Sequence, residues 1–160
     1  MRGAALPAGL LCAAAGLAFA FVPRKAVLPA ITLLCAGAVV GTWIPVAGAS
    51  AEIAFLGCWA AIILLAASVH LPNGAPSIVV MLAATGAGMC AGAVISAEGV
   101  ATDLVRALPL TLVVLPAQWG IAKQWQIAVK VLLSWLAAVA LLAALLPTTA
   151  TPGYVPDHMD

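Results

Sequence analysis

Apolar residues in this chain neither alternate nor recur on one helical face. They come in long runs separated by short polar or proline-containing breaks. The first run goes from Ala4 to Val22 and stops at Pro23-Arg24-Lys25. The second spans Ala26 to about Pro45. The third spans Ala51 to Val69 and is broken by His70-Leu71-Pro72-Asn73-Gly74-Ala75-Pro76. The fourth spans Ser77 to about Ala97, before Glu98-Gly99. A fifth, Leu104 to about Ala122, contains Arg106, Pro109, Pro116 and Gln118, and the last runs from Gln124 to Leu146. Each approaches the roughly 20 residues that cross a bilayer as a helix, and lipid leaves a backbone no other way to satisfy its hydrogen bonds. The pattern predicts an all-α, polytopic transmembrane helical bundle of about six spans. It forms one domain over residues 1–149, followed by a short polar external tail at 150–160.

Composition agrees: 66% of residues are hydrophobic, 7% are charged and mean hydropathy is +1.22. So few charges cannot cover a water-facing surface, so the lipid bilayer is the expected surrounding. The net charge of +1 gives no footprint for nucleic acid. Lysine and arginine set orientation. With Arg24, Lys25 and Lys123 in the cytoplasm, both termini lie outside, and Glu52, Glu98, Asp103, Asp157 and Asp160 fall on or near the outer side. Arg2 and Arg106 are the exceptions. Trp43 then sits at the outer interface and Trp119 and Trp125 at the inner one, as an aromatic belt requires. A bacterial cytoplasmic (inner) membrane is the expected location. Residues 1–20 also have the form of a signal peptide, with Arg2 in a short n-region and Ala18-Phe19-Ala20 before a cleavage point. Cleavage would leave Arg24, Lys25 and Lys123 outside, so retention is the expectation.

Small residues recur every four positions. Gly37 and Gly41, and Gly88 and Gly92, form two GxxxG pairs, with Ala5, Gly9 and Ala13 similar in the first span. Such stripes let backbones approach closely, within the chain or between copies and other membrane subunits. Leu28-Pro29 and Leu108-Pro109, and Cys58-Trp59-Ala60-Ala61 and Ser134-Trp135-Leu136-Ala137, hint at a three-plus-three inverted repeat.

Polar chemistry is sparse. Cys12, Cys35, Cys58 and Cys90 fall one to each of the first four spans, at similar depth, with Met89 beside the last. Soft sulfur donors at one level are a candidate soft-metal layer; the plainer reading is four small apolar packing residues. In the fifth span, Arg106 lies three residues after Asp103, and Pro109 and Pro116 each remove a backbone donor. That combination fits a discontinuous helix lining a solute pathway, or a surface ion pair on a kinked helix. Lys130 lies in the last span and either snorkels to the surface or pairs inside the bundle. Glu52 and His70 suit the helix termini they occupy. Asp157, His158 and Met159 are ligand types on a tail that pre-organises nothing.

No P-loop, GxSxG, HExxH or dinucleotide fingerprint is present, so neither enzymatic activity nor a cofactor is expected. In size, number of spans and the Val46-Ala47-Gly48 stretch followed by two Ala/Leu-rich spans, the chain resembles the HupE/UreJ family of small nickel permeases. That family's membrane motifs are histidine-rich, whereas the comparable place here, Gly88-Met89-Cys90-Ala91-Gly92, has no histidine. The resemblance therefore implies a permease-like bundle without that family's metal ligands. Two functions fit the whole: a small permease or channel-like protein for an ion or small solute, or a non-catalytic membrane subunit or assembly factor of a larger complex.

Overall fold

Prolines and tight turns punctuate the apolar runs where the sequence places its breaks. The computed structural model describes residues 5–46, 49–71 and 74–146, all helices and short connections. Arg2, the 150–160 tail and its Asp157, His158 and Met159 lie outside the described residues.

The helices are α1 (Ala5–Phe19), α2 (Arg24–Thr42), α3 (Ala49–Ser68), α4 (Ser77–Glu98), α5 (Ala101–Ala107), α6 (Val114–Ala122) and α7 (Gln126–Leu145), with a 3-10 segment, Leu108–Val113, joining α5 to α6. Pro23 and Pro76 immediately precede α2 and α4 in extended conformation, as expected where φ is fixed and the residue has no N–H to give. The α6–α7 turn closes on a Schellman pattern. The Trp125 N–H donates to the Gly120 carbonyl at 2.9 Å and the Gln124 N–H to Ile121 at 3.0 Å, with Gln124 left-handed at φ 68°.

Among the described residues five spans are long and apolar enough to cross a membrane: Arg24–Thr42, Ser50–Ser68, Ser77–Ala97, Thr102–Ala122 and Gln126–Leu145. The remaining helix, α1, has 15 residues and is shorter than the expected run. It is nonetheless the most enclosed element, packed against α3, α4, the 3-10 segment, α5 and α7. Leu11, Cys12, Ala14, Ala15 and Phe19 are completely buried. Protein rather than lipid surrounds α1, so bilayer thickness does not set its length. Loss of residues 1–20 as a leader would remove this axis.

The interior is rich in alanine, and large aliphatic side chains also cover the perimeter. Ala8, Ala14, Ala15, Ala30, Ala38, Ala84 and Ala140 are buried, whereas Leu28, Ile53, Leu64, Ile78, Leu82, Val105 and Ile127 are exposed on the perimeter. An apolar exterior on apolar helices makes this an integral membrane protein. Lipid gives helices no hydrophobic reason to associate, so close approach and dispersion hold the bundle.

The closest approach is between parallel helices α2 and α4, which share the most extensive contact in the molecule. A Cβ at Gly37 would sit 2.5 Å from the Thr85 carbonyl oxygen, and one at Gly88 would be 2.9 Å from the Ala38 nitrogen. Gly41 meets the Met89 backbone, and Gly92 that of Ala38 and Gly41. Ser96 Oγ lies 2.8 Å from the Ala93 carbonyl of its own helix and 3.2 Å from the Ile44 carbonyl, where α4 meets the end of α2. All four glycines thus make contact within the chain, because their stripes face each other. The two tryptophans of the sequence echo sit in different environments: Trp59 is buried, while Trp135 is highly exposed.

Gly92→Leu is expected to cost about 3 kcal/mol through overpacking and to lower the thermal midpoint of the protein in lipid nanodiscs. Gly86 has no neighbour within 4 Å of a built Cβ, so Gly86→Leu should keep the wild-type midpoint in the same measurement.

Candidate functional site

The polar residues of the fifth span resolve into a structural pair. Asp103 is one of two buried polar side chains among the described residues, the other being Thr111. One carboxylate oxygen of Asp103 accepts the Val100 N–H at 3.2 Å, closing the first turn of α5. The other lies 3.9 Å from Arg106, whose side chain is 77% exposed. Arg106 therefore points away from the bundle interior and lines no pathway in this structure.

The fifth span stays helical through its prolines. Pro109 lies in the 3-10 segment between α5 and α6 and Pro116 within α6, and Thr111 Oγ1 donates to the Leu108 carbonyl at 2.7 Å. A Cβ on Gly16 would lie 2.6 Å from the Thr111 carbonyl oxygen, so this segment packs directly on the α1 backbone. The span thus makes a packed contact, and of the two readings of its polar residues the geometry matches the ion pair on a kinked helix.

The cysteines divide into two kinds. Cys12 and Cys58 are fully buried, Cys35 and Cys90 are half-buried, and all are free thiols. Among the described residues no group of three or more His, Cys, Asp or Glu side chains could hold a metal ion. Cys90 Sγ would lie 3.2 Å from a Cβ on Gly57, which puts it in a groove between α3 and α4. Met89 has a partly exposed side chain, and its backbone serves the contact with α2.

Lys130 is the candidate that the structure places in a cavity. The cavity has a volume of about 490 Å³ and lies at the end of the bundle that carries Arg24, Lys25 and Lys123. Its walls are the end of α1 (Ala18, Phe19), the end of α3 (Leu65, Ser68), the start of α4 (Val79, Val80, Ala83) and the start of α7 (Gln126, Lys130). The Lys130 ammonium lies 5.8 Å from the centre of the Phe21 ring, within cation–π range. Gln126, Lys130 and Ser134 fall on one stripe of α7 at four-residue spacing. His70 Nε2 and Ser134 Oγ lie 3.2 Å apart, connecting that stripe to α3. Ser68 Oγ donates to its own helix, at Leu65, 2.7 Å away. The one ion pair among the described residues is Asp103–Arg106, so none of their carboxylates neutralises Lys130. A cavity of this size, mostly apolar with a few convergent polar groups, has the character of a small-ligand site.

Gln126, Ser68 and the Phe21 ring were not singled out by sequence reasoning. The four-residue spacing of Gln126 and Ser134 about Lys130 was the available signal. The walls from α1, α3 and α4 carry no sequence mark, because they are apolar residues among many.

No protein-family model, no curated protein and no solved structure matches this chain. The likeness to small nickel permeases thus has no family match behind it.

Asp103→Ala should cost about 1 kcal/mol by removing the acceptor at the start of α5. Arg106→Ala should cost less, because an exposed partner at 3.9 Å contributes little. Chemical-denaturation midpoints in nanodiscs check the order.

Proposed function

We propose that the protein is a small permease of a bacterial cytoplasmic (inner) membrane, with the cavity at Lys130 as its solute site. The observation that carries this reading is the cavity of about 490 Å³, lined by four helices and holding a cation with no carboxylate partner among the described residues. An uncompensated lysine within a membrane bundle is costly unless it faces an aqueous or ligand-filled space. The mostly apolar walls, with one cation, suit a small organic anion. The buried α1 helix occupies the centre of the bundle, so passage requires helices to move, which favours a permease over an open channel.

A second reading, a subunit or assembly factor of a larger membrane complex, rests on Trp135. This side chain is 63% exposed in the middle of α7, whereas membrane tryptophans concentrate at the interfaces. A neighbouring helix covering α7 would account for it. The mass of the particle extracted from native membranes separates the two, since stoichiometric unrelated chains favour the subunit.

Proteoliposomes provide the direct test. Uptake of acetate, hexanoate and benzoate, followed by stopped-flow light scattering, should exceed that of protein-free vesicles for at least one of them. Lys130→Gln should reduce that uptake about tenfold, the loss of roughly one charge-assisted contact, and Arg106→Ala should leave it unchanged. Rates equal to empty vesicles for every anion, or insensitive to Lys130→Gln, overturn the permease reading.

A further inference from the structure

The cavity at Lys130 continues into the membrane. A groove of about 240 Å³ runs between α3 and α4 and shares Leu64, Leu65 and Ala83 with the cavity. Small residues make it. Gly57, Ala60 and Ala61 on α3 face Gly86 and Ala87 on α4, and Cys90 sits at the far end. From Val79 to Cys90 the path along α4 is about 16 Å at the helical rise. Leu64 and Leu82 on its flanks are highly exposed, so the groove opens sideways towards lipid.

The two spaces differ in character in a way that matches one kind of molecule. The cavity end carries Lys130 together with Arg24, Lys25 and Lys123, whereas the described acids, Glu52 and Asp103, belong to the opposite end of the bundle. The groove end has no charged side chain and no hydroxyl in its lining. A cation at the mouth and a narrow apolar slot behind it are complementary to an anionic head on a single hydrocarbon chain. Burial of each methylene stabilises such a ligand by about 0.8 kcal/mol relative to water, and the ammonium fixes the carboxylate and hence the direction of insertion.

We infer that the cavity and groove together bind a long-chain carboxylate, its head at Lys130 and its chain laid between α3 and α4 towards Cys90. This rests on the cavity being the solute site of the proposed permease, and it specifies the solute as a fatty-acid-type amphiphile that reaches the site laterally from the bilayer. Gln126 is a second head-group partner, one turn from Lys130.

Radiolabelled palmitate binding to the full-length protein in phosphatidylcholine nanodiscs tests the inference. The expected result is saturable binding, weakened about tenfold by Lys130→Gln, restored by Lys130→Arg, and abolished by Gly86→Leu, which fills the groove from an open position. Palmitate carrying a terminal diazirine should crosslink to peptides containing Gly57 or Cys90. Equal binding of hexadecanol and palmitate, with no effect of Lys130→Gln, shows ordinary boundary lipid and overturns the inference. Displacement of palmitate by equimolar phosphatidylglycerol shows a two-chain lipid site and also overturns it. The two proposals fail separately: saturable palmitate binding without flux of any anion removes the permease and keeps the site. Lys130-dependent flux of hexanoate that survives Gly86→Leu, without palmitate binding, keeps the permease and removes the acyl groove.

Discussion

Backbone-to-backbone approach at glycine is the constraint on which this bundle depends. Helices already dissolved in lipid gain nothing from hiding apolar surface, so they associate where they fit most closely. Gly37, Gly41, Gly88 and Gly92 interlock α2 with α4, and Gly16 admits the 3-10 segment onto α1. Each contact is between main chains, where a single added carbon has no room to move aside. Many large aliphatic side chains face lipid, and alanine, with Leu11, Phe19, Leu34, Ile62 and Leu133, fills the interior.

The same economy governs polar groups. Thr32, Thr42, Ser68, Thr85 and Thr111 each donate to a carbonyl of their own helix three or four residues back, which removes the cost of a bare hydroxyl in hydrocarbon. Asp103 closes the first turn of α5. No buried side-chain nitrogen or oxygen among the described residues lacks a partner. Against that background Lys130 stands out, because its ammonium meets an aromatic face and an open cavity rather than a carboxylate.

Close packing and cavity are two aspects of one arrangement. Helix α2 adheres to α4 and scarcely touches α1, whereas α3 contacts α1, α4 and α7. Where α3 and α4 diverge below their small-residue stretch, the helices no longer fill the space, and the starts of α4 and α7 leave room beside the end of α1. A solute site at that place uses the least packed part of an otherwise tight bundle, which is also where the positive end of the molecule lies.

The amino-acid sequence by itself determined the class of the protein, the limits of its spans to within a few residues, the glycine stripes and the short list of polar residues. These are local properties: run length decides whether a helix crosses lipid, and proline decides where it starts. It also named Lys130, but ranked it with Arg106 and Asp103, because a charge in an apolar run looks the same whether it faces a cavity or the perimeter. Only the tertiary structure decided between those environments. It turned Arg106 to the bundle exterior, set Asp103 at a helix start, put Pro109 in a packed 3-10 segment and Pro116 in the helix after it, and packed the GxxxG stripes of α2 and α4 against each other. It also made α1, shorter than its apolar run, the most enclosed helix. None of this is readable from an Ala- and Leu-rich pattern, because every face of such a helix is apolar and hydropathy cannot say which face meets protein and which meets lipid.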